Sequence, residues 1–230
     1  MSNMISINLF EEISGLSEQI ANTTENGILI SLRGRTILSF MSINTMPPPE
    51  TFLSADEMEL MRSFKSEKRR KEWCAGRLSA KRIISAVYGT EMRSMTVSYD
   101  EYHRPLCDGY LVSITHSVGL AAAAFSYGKA IGLDLEKTRP HSIAWLNDYF
   151  NPDELPEFTN EYGIMAWTRK EAVMKALGLG LTVPAKTINI SKKTPGLSGK
   201  AMERFLSLGS PELTIGTVKI QGWYCSLVSS

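Results

Sequence analysis

The sequence predicts an α+β protein of two similar subdomains, each a helix packed on a small, mostly antiparallel sheet. A pseudo-twofold axis would relate them, with the active site in the cleft between. Three observations carry this. The chain has 230 residues, enough for one large domain or two small ones with a real core. Its periodicity runs helix and then about three strands, twice over. Laying Trp73-Cys-Ala-Gly-Arg77-Leu-Ser-Ala-Lys81 over Trp167-Thr-Arg-Lys-Glu171-Ala-Val-Met-Lys175 matches Trp with Trp and Lys with Lys, and sets Arg77 where Glu171 stands. A short match of helix formers also arises by chance. Taken as a repeat, it divides the chain into 1–127 and 128–230 and implies a cleft, a usual place for a ligand.

The elements follow in order. Residues 1–50 are weakly patterned, with one strand-like run at 27–32 and a stop at Pro47-Pro48-Pro49, which neither continues a helix nor pairs in a central strand. Ser54 and Glu57 read as N-cap and capping box of a helix carrying Met58, Met61 and Phe64 on one face. The basic run 65–71 leads into a second helix over 68–86, which Gly89 ends. From 94 the period falls to two. Residues 95–99, 111–115 and 120–125 read as strands, separated by His103-Arg-Pro and Asp108-Gly109. Residues 130–136 form a strand whose end turns polar. Helices over 142–149 and 152–158 precede the one through Trp167 and Lys175, and strands near 186–191, 213–219 and 221–228 close the chain.

Composition excludes several classes. A formal net charge of +1 gives no global attraction to nucleic acid or a membrane surface, so any basic patch must be local. The three cysteines show no C-x-x-C spacing, which fits a reduced interior better than a disulfide scaffold. No apolar run approaches the length of a membrane span, and no signal pattern opens the chain. The expectation is a cytoplasmic protein.

Three clusters carry chemistry. Glu171 and Lys175 stand four apart on a helix, one turn beyond Trp167; alone, such a pair is a helix-stabilising ion pair worth a few tenths of a kcal/mol. Asp134 and Glu136 are i and i+2 at the end of an apolar strand and face the same side. They are either a solvated strand end or half of a site for a hard cation such as Mg²⁺, which one or two carboxylates plus substrate phosphates typically hold. Eight cations crowd into residues 65–82, among them Arg69, Arg70, Arg77 and Lys81. Such a run is either solvated surface or a phosphate-binding face. Thr115-His116-Ser117 adds phosphate-type donors at a strand end, although a lone histidine is commonly structural. Together the carboxylates could hold a metal and the cations phosphates, which points to phosphoryl-group chemistry. Gly178-Leu-Gly-Leu follows a helix and lacks the form of a P-loop, and Cys and His are too scattered for zinc.

At this point the residues resemble a family. Ile131-Gly-Leu-Asp134-Leu-Glu136, with Glu171 of Trp167-Thr-Arg-Lys170-Glu171-Ala-Val-Met-Lys175 standing 37 positions after Asp134, closely resembles the paired signature of 4′-phosphopantetheinyl transferases. Arg69, Ala75-Gly-Arg77, His103-Arg104-Pro105, Ser113-Ile-Thr-His116-Ser117 and Tyr149-Phe-Asn-Pro-Asp-Glu154 match further segments in order, so the resemblance covers roughly residues 53–192. Its length and two-half organisation are similar to the surfactin-synthetase-activating type, a pseudo-dimer in one chain.

The resemblance implies transfer of the phosphopantetheine arm of coenzyme A to a serine of an apo acyl, aryl or peptidyl carrier domain, releasing 3′,5′-ADP, with Mg²⁺ or Mn²⁺. It implies that Asp134, Glu136 and Glu171 gather the metal, that Glu171 serves as base directly or through water, and that Lys175 meets the diphosphate. Arg69, Arg104, His116 and Ser117 would hold the nucleotide and its 3′-phosphate, Arg77 would also contact coenzyme A, and Arg70 and Lys170 either contact coenzyme A or flank the site. A monomer without nucleic-acid or membrane partners is expected. The family often has Gly-Lys-Pro where this chain has His103-Arg104-Pro105, so Arg replaces Lys as the cation. The runner-up function is a non-catalytic coenzyme A or carrier-protein binding module, which predicts a broken acid set; another Mg²⁺-dependent phosphoryl enzyme is the third.

Overall fold

The computed structural model describes residues 4–7, 17–22, 27–32, 35–154 and 160–230. Two sheets stack face to face, and a long helix covers the outer face of each. The first sheet has seven strands in the order β1 (Met4–Ile7), β2 (Ile28–Leu32), β3 (Thr36–Ser42), β7 (Leu120–Ser126), β6 (Tyr110–Ser117), β5 (Pro105–Cys107) and β4 (Val97–Tyr99). Only β1 and β2 pair in parallel. The second is the antiparallel sheet of β11 (Thr214–Ile220), β12 (Trp223–Ser229) and β8 (Ile131–Lys137). Leu38, Phe40, Ala122 and Ala124 of the first sheet pack against Leu133, Leu135, Val218 and Leu227 of the second.

The helices α1 (Ser17–Ala21), α2 (Ala55–Ser63) and α3 (Glu67–Tyr88) belong to the first half. Both bonds of the expected capping box open α2, and Gly89 at φ 74° ends α3 in the left-handed conformation that glycine adopts without cost. Ala80, Ile83 and Ile84 of α3 pack on Ile37, Ala123 and Phe125, the outer face of the first sheet. In the second half come α4 (Ile143–Tyr149), α5 (Asn160–Leu177) and α6 (Gly199–Ser207). Ala172, Val173 and Ala176 of α5 pack on Ile215 and Val228. Each long helix is pinned by a buried lysine. Lys81 donates to Glu57 and to the Phe52 carbonyl, and Lys170 donates to Glu154 and to the Ala185 and Ile188 carbonyls.

Three features depart from the sequence reading. The first sheet is not small, because β3 joins β7 along its whole length and extends the sheet through β2 to β1. Six of the seven residues of β3 are buried, so the strand shows none of the apolar–polar alternation that would mark it. The strand expected near 186–191 shrinks to a 3₁₀ turn at Ala185–Thr187 and the two residues of β9 (Ile188–Asn189), paired with β10 (Gly196–Leu197). Its ladder groups are engaged by side chains: Lys170 takes two carbonyls, and Glu154 takes the Ile190 N–H. The helix expected over 152–158 is a 3₁₀ turn at Pro152–Glu154, and 155–158 lie outside the described residues. No helix among the described residues is long and apolar enough to cross a membrane.

The approach of α5 to β8 is set by Gly132. A Cβ there would lie 1.9 Å from the Ala172 carbonyl oxygen and 2.7 Å from the Ala176 nitrogen, both backbone atoms that cannot swing aside. Gly132→Ala should therefore force helix and strand apart. We expect a loss of about 2 kcal/mol or more, read as a fall of about 4–8 °C in the thermal midpoint; an unchanged midpoint would contradict the packing described.

Candidate active site

Glu171 projects from α5 toward Asp134 and Glu136 on β8, across the contact that Gly132 permits. One carboxylate oxygen from each of the three residues lies within 4.8 Å of the others. Asp134 is only 1% exposed. Its Oδ1 accepts from Lys175 Nζ at 2.6 Å and from the Thr115 hydroxyl at 3.2 Å, and its Oδ2 is buried with no hydrogen-bond partner among the described residues. Glu136 Oε2 accepts from the Ser117 hydroxyl at 3.0 Å.

Three carboxylates so close cannot all ionise freely without a cation. Burial and then the Asp134 charge push the Glu171 carboxyl up to about 8, and the same two causes raise Glu136. Lys175 opposes the shift at both but does not cancel it. Clustered oxygen donors with a buried lone pair to spare fit a hard divalent ion such as Mg²⁺ or Mn²⁺.

The cations surround two neighbouring cavities. One, of about 360 Å³, lies between α3 and β6 and is lined by Arg69, Trp73, Arg77, Tyr99 and His116. Arg77 is 93% buried. Its guanidinium lies 4.0 Å from the Trp73 ring centroid and donates to the Tyr99 hydroxyl at 3.0 Å, while its Nε has no partner among the described residues. Partial desolvation holds the His116 imidazole below its usual value. The second cavity, about 220 Å³, shares Pro105 and Ile114 with the first and adds Arg104, Ser113 and Lys175. Asp100 fixes Arg104 by accepting from both its backbone N–H and its Nε at 2.8 Å, so arginine is seated where the family often has lysine. Beyond the acids a third cavity, about 570 Å³, is walled by Trp145, Tyr149, Trp167 and Met174 together with Glu136 and Glu171.

The structure thus gathers Asp134, Glu136, Glu171 and Lys175 at one point, and Arg69, Arg77, Arg104 and His116 in the adjoining cavities. At three expected positions the side chain is engaged by the protein itself. Lys170 is fully buried, with all three ammonium protons engaged, so it cannot reach a ligand. Arg70 donates to the Phe64 carbonyl at 2.6 Å and does not line the cavity that takes in Arg69. The Ser117 hydroxyl is held by Glu136 and the Lys137 N–H. Sequence reasoning named Thr115 as a phosphate-type donor and missed its place beside Asp134, and it missed Asp100 beside Arg104 and Tyr99 beside Arg77. Only Thr115 left a signal, standing two before Ser117 on a strand of period two.

The profile of the 4′-phosphopantetheinyl transferase superfamily matches residues 130–210, and that of the 4′-phosphopantetheinyl transferase N-terminal domain matches 56–126. The chain is 31% identical to 4′-phosphopantetheinyl transferase HetI of Nostoc sp. over 144 residues, 56% of this chain and 61% of the relative. It is 26% identical to 4′-phosphopantetheinyl transferase Sfp of Bacillus subtilis over 151 residues, 61% of this chain and 66% of that one. To the holo-[acyl-carrier-protein] synthase of Staphylococcus carnosus it is 36% identical over 85 residues, 33% of this chain and 73% of the relative. The match spans about three-fifths of HetI and about two-thirds of Sfp.

Two outcomes are expected. Lys170→Met strands Glu154 as an uncompensated buried charge and should cost about 3–5 kcal/mol in denaturant unfolding. Lys175→Met, at a partly exposed position, should cost much less; equal losses would show that Lys170 is not the structural lysine. Glu171 carries its proton below about pH 8, and a divalent ion binds the ionised form. Mg²⁺ affinity should therefore rise with pH toward 8 and then level. Calorimetry at pH 7 in buffers of different ionisation enthalpy should detect a released proton, and Glu171→Gln should abolish that release.

Proposed function

Because the chain belongs to the 4′-phosphopantetheinyl transferase superfamily, we propose that it moves the 4′-phosphopantetheine arm of coenzyme A onto a serine hydroxyl of an apo carrier protein. The acceptor is an acyl, aryl or peptidyl carrier domain, and 3′,5′-ADP is the second product. The observation that carries this is the convergence of Asp134, Glu136 and Glu171 beside Lys175, at the mouth of cavities lined by Arg69, Arg77, Arg104 and His116. A binding module without chemistry has no need to hold three repelling carboxylates together.

Asp134, Glu136 and Glu171 would hold Mg²⁺, with Mn²⁺ as a substitute, and the ion would neutralise the diphosphate of coenzyme A. In the transfer the carrier serine oxygen forms a bond to the phosphorus that bears pantetheine, and the bridging P–O bond to ADP breaks. Glu171 accepts the serine proton, through a water beside the acids. Lys175 stabilises negative charge on the departing phosphate oxygen, which is where it accumulates in a loose phosphoryl transition state. Arg69, Arg77, Arg104 and His116 hold the nucleotide and its phosphates; the forked guanidinium suits phosphate oxygens. On this reading residues 1–127 supply the nucleotide side and 128–230 the acids, and the protein works as a cytoplasmic monomer without nucleic-acid or membrane partners.

Mass spectrometry of an apo carrier incubated with coenzyme A and Mg²⁺ tests the proposal. A mass gain of one phosphopantetheine arm is expected, lost with Glu171→Ala and slowed about 10²–10³-fold by Lys175→Met. No gain on fatty-acid, polyketide or peptide-synthetase carriers would refute it.

A further inference from the structure

Strand β8 is the edge of its sheet, and its N–H groups at Leu133, Leu135 and Lys137 receive no partner from β12 on that side. Those of Leu133 and Leu135 lie in the interior between the sheets and that of Lys137 is partly buried, where an unpaired N–H is costly. The neighbouring strand β6 meets them with hydroxyls instead of carbonyls. Ser113 Oγ accepts from Leu133 N at 2.8 Å, Thr115 Oγ1 from Leu135 N at 3.2 Å, and Ser117 Oγ from Lys137 N at 3.0 Å. The constant offset of 20 residues makes this a side-chain ladder between strands running the same way. Two rungs go further. The Thr115 hydroxyl donates to Asp134 and the Ser117 hydroxyl donates to Glu136, the two carboxylates that alternate with the bonded N–H groups. The third rung, Ser113, stands level with Gly132, where there is no acid to receive a proton.

We propose that Thr115 and Ser117 are positioning residues for the cation-binding carboxylates, and that neither hydroxyl is a ligand of the coenzyme. A hydroxyl has one proton to give. Those of Thr115 and Ser117 are committed to carboxylates, so they cannot also be donated to a phosphate oxygen. Each of these two rungs fixes one carboxylate and the backbone of the residue after it, so the acid and its strand move as one unit. Outer partners of this kind orient the ligands they touch, and their loss typically weakens metal binding about 10–100-fold. This rests on the proposed function only for the claim that the three acids bind a divalent ion.

The test is Mn²⁺ binding to the full-length protein without coenzyme A, by calorimetry and by electron paramagnetic resonance. Thr115→Val and Ser117→Ala should each weaken Mn²⁺ about tenfold or more. Thr115→Ser and Ser117→Thr, which keep the proton, should restore affinity to within about twofold of the parent chain. Ser113→Ala removes a rung but no acid contact, so it should lower thermal stability while leaving Mn²⁺ affinity in place. That contrast separates positioning from general support. Ser117 is the outermost rung, so the Ser117 pair decides the matter if Thr115→Val does not fold. The proposal is overturned if both hydroxyl-deleting variants keep Mn²⁺ affinity and instead weaken coenzyme A binding. It is overturned as well if Ser113→Ala weakens Mn²⁺ equally, or if the parent chain binds no Mn²⁺. Mn²⁺ binding that follows this pattern in a protein that modifies no carrier would sink the transferase reading and leave the positioning role standing.

Discussion

The distance between α5 and β8 governs everything at the acid cluster. Asp134 and Glu136 belong to a strand, Glu171 and Lys175 to a helix, and no backbone hydrogen bond joins the two elements. Their separation is set by van der Waals contact, and at Gly132 that contact is backbone on backbone. A helix crossing a sheet at an ordinary spacing would leave the Glu171 carboxylate too far from Asp134 to share one cation. Glycine in Ile131-Gly-Leu-Asp134 thus acts as the spacer of the site, although it carries no chemistry.

Closeness alone leaves the rotation of α5 open, and Lys170 settles it. Its ammonium turns away from the acids into the interior and bonds Glu154 and two carbonyls of the 185–188 turn. Glu154 also accepts the N–H groups of Asn151 and Ile190, so one carboxylate gathers the segment before the helix and the segment after it. The first half repeats the device in different register. Glu57 accepts from Ser54 N and Val97 N and pairs with Lys81 on α3. Such pairs add little net stability over apolar packing, but their geometry admits few alternatives, and here they define how each long helix faces its sheet.

The sequence carried the helices, the hairpins and the acid–lysine set because these rest on local signals: capping residues, glycine stops, and charges at fixed spacing. Asp134 and Glu136 were legible as one-sided by strand period, and Glu171 and Lys175 by helical period. What was hidden depends on contacts far apart in the chain. Strand β3 is buried on both faces and so lost its alternation. Lys170 looked like a site residue because it adjoins Glu171, yet neighbours on a helix face about 100° apart. The bond from the Ser117 hydroxyl to Glu136 joins two strands 19 residues apart and leaves no local signal.

Adjacent positions 170 and 171 divide two duties that are often entangled. Lys170 serves the architecture, while Glu171 is held in a place where burial and like charge disfavour its ionised form. A lineage in which the acids drifted to neutral residues would relax a strained cluster and still possess every pin that orients its helices. Folding and the acid cluster are thus separable: loss of the carboxylates would leave a chain that keeps its helix orientations and lacks its clustered oxygen donors.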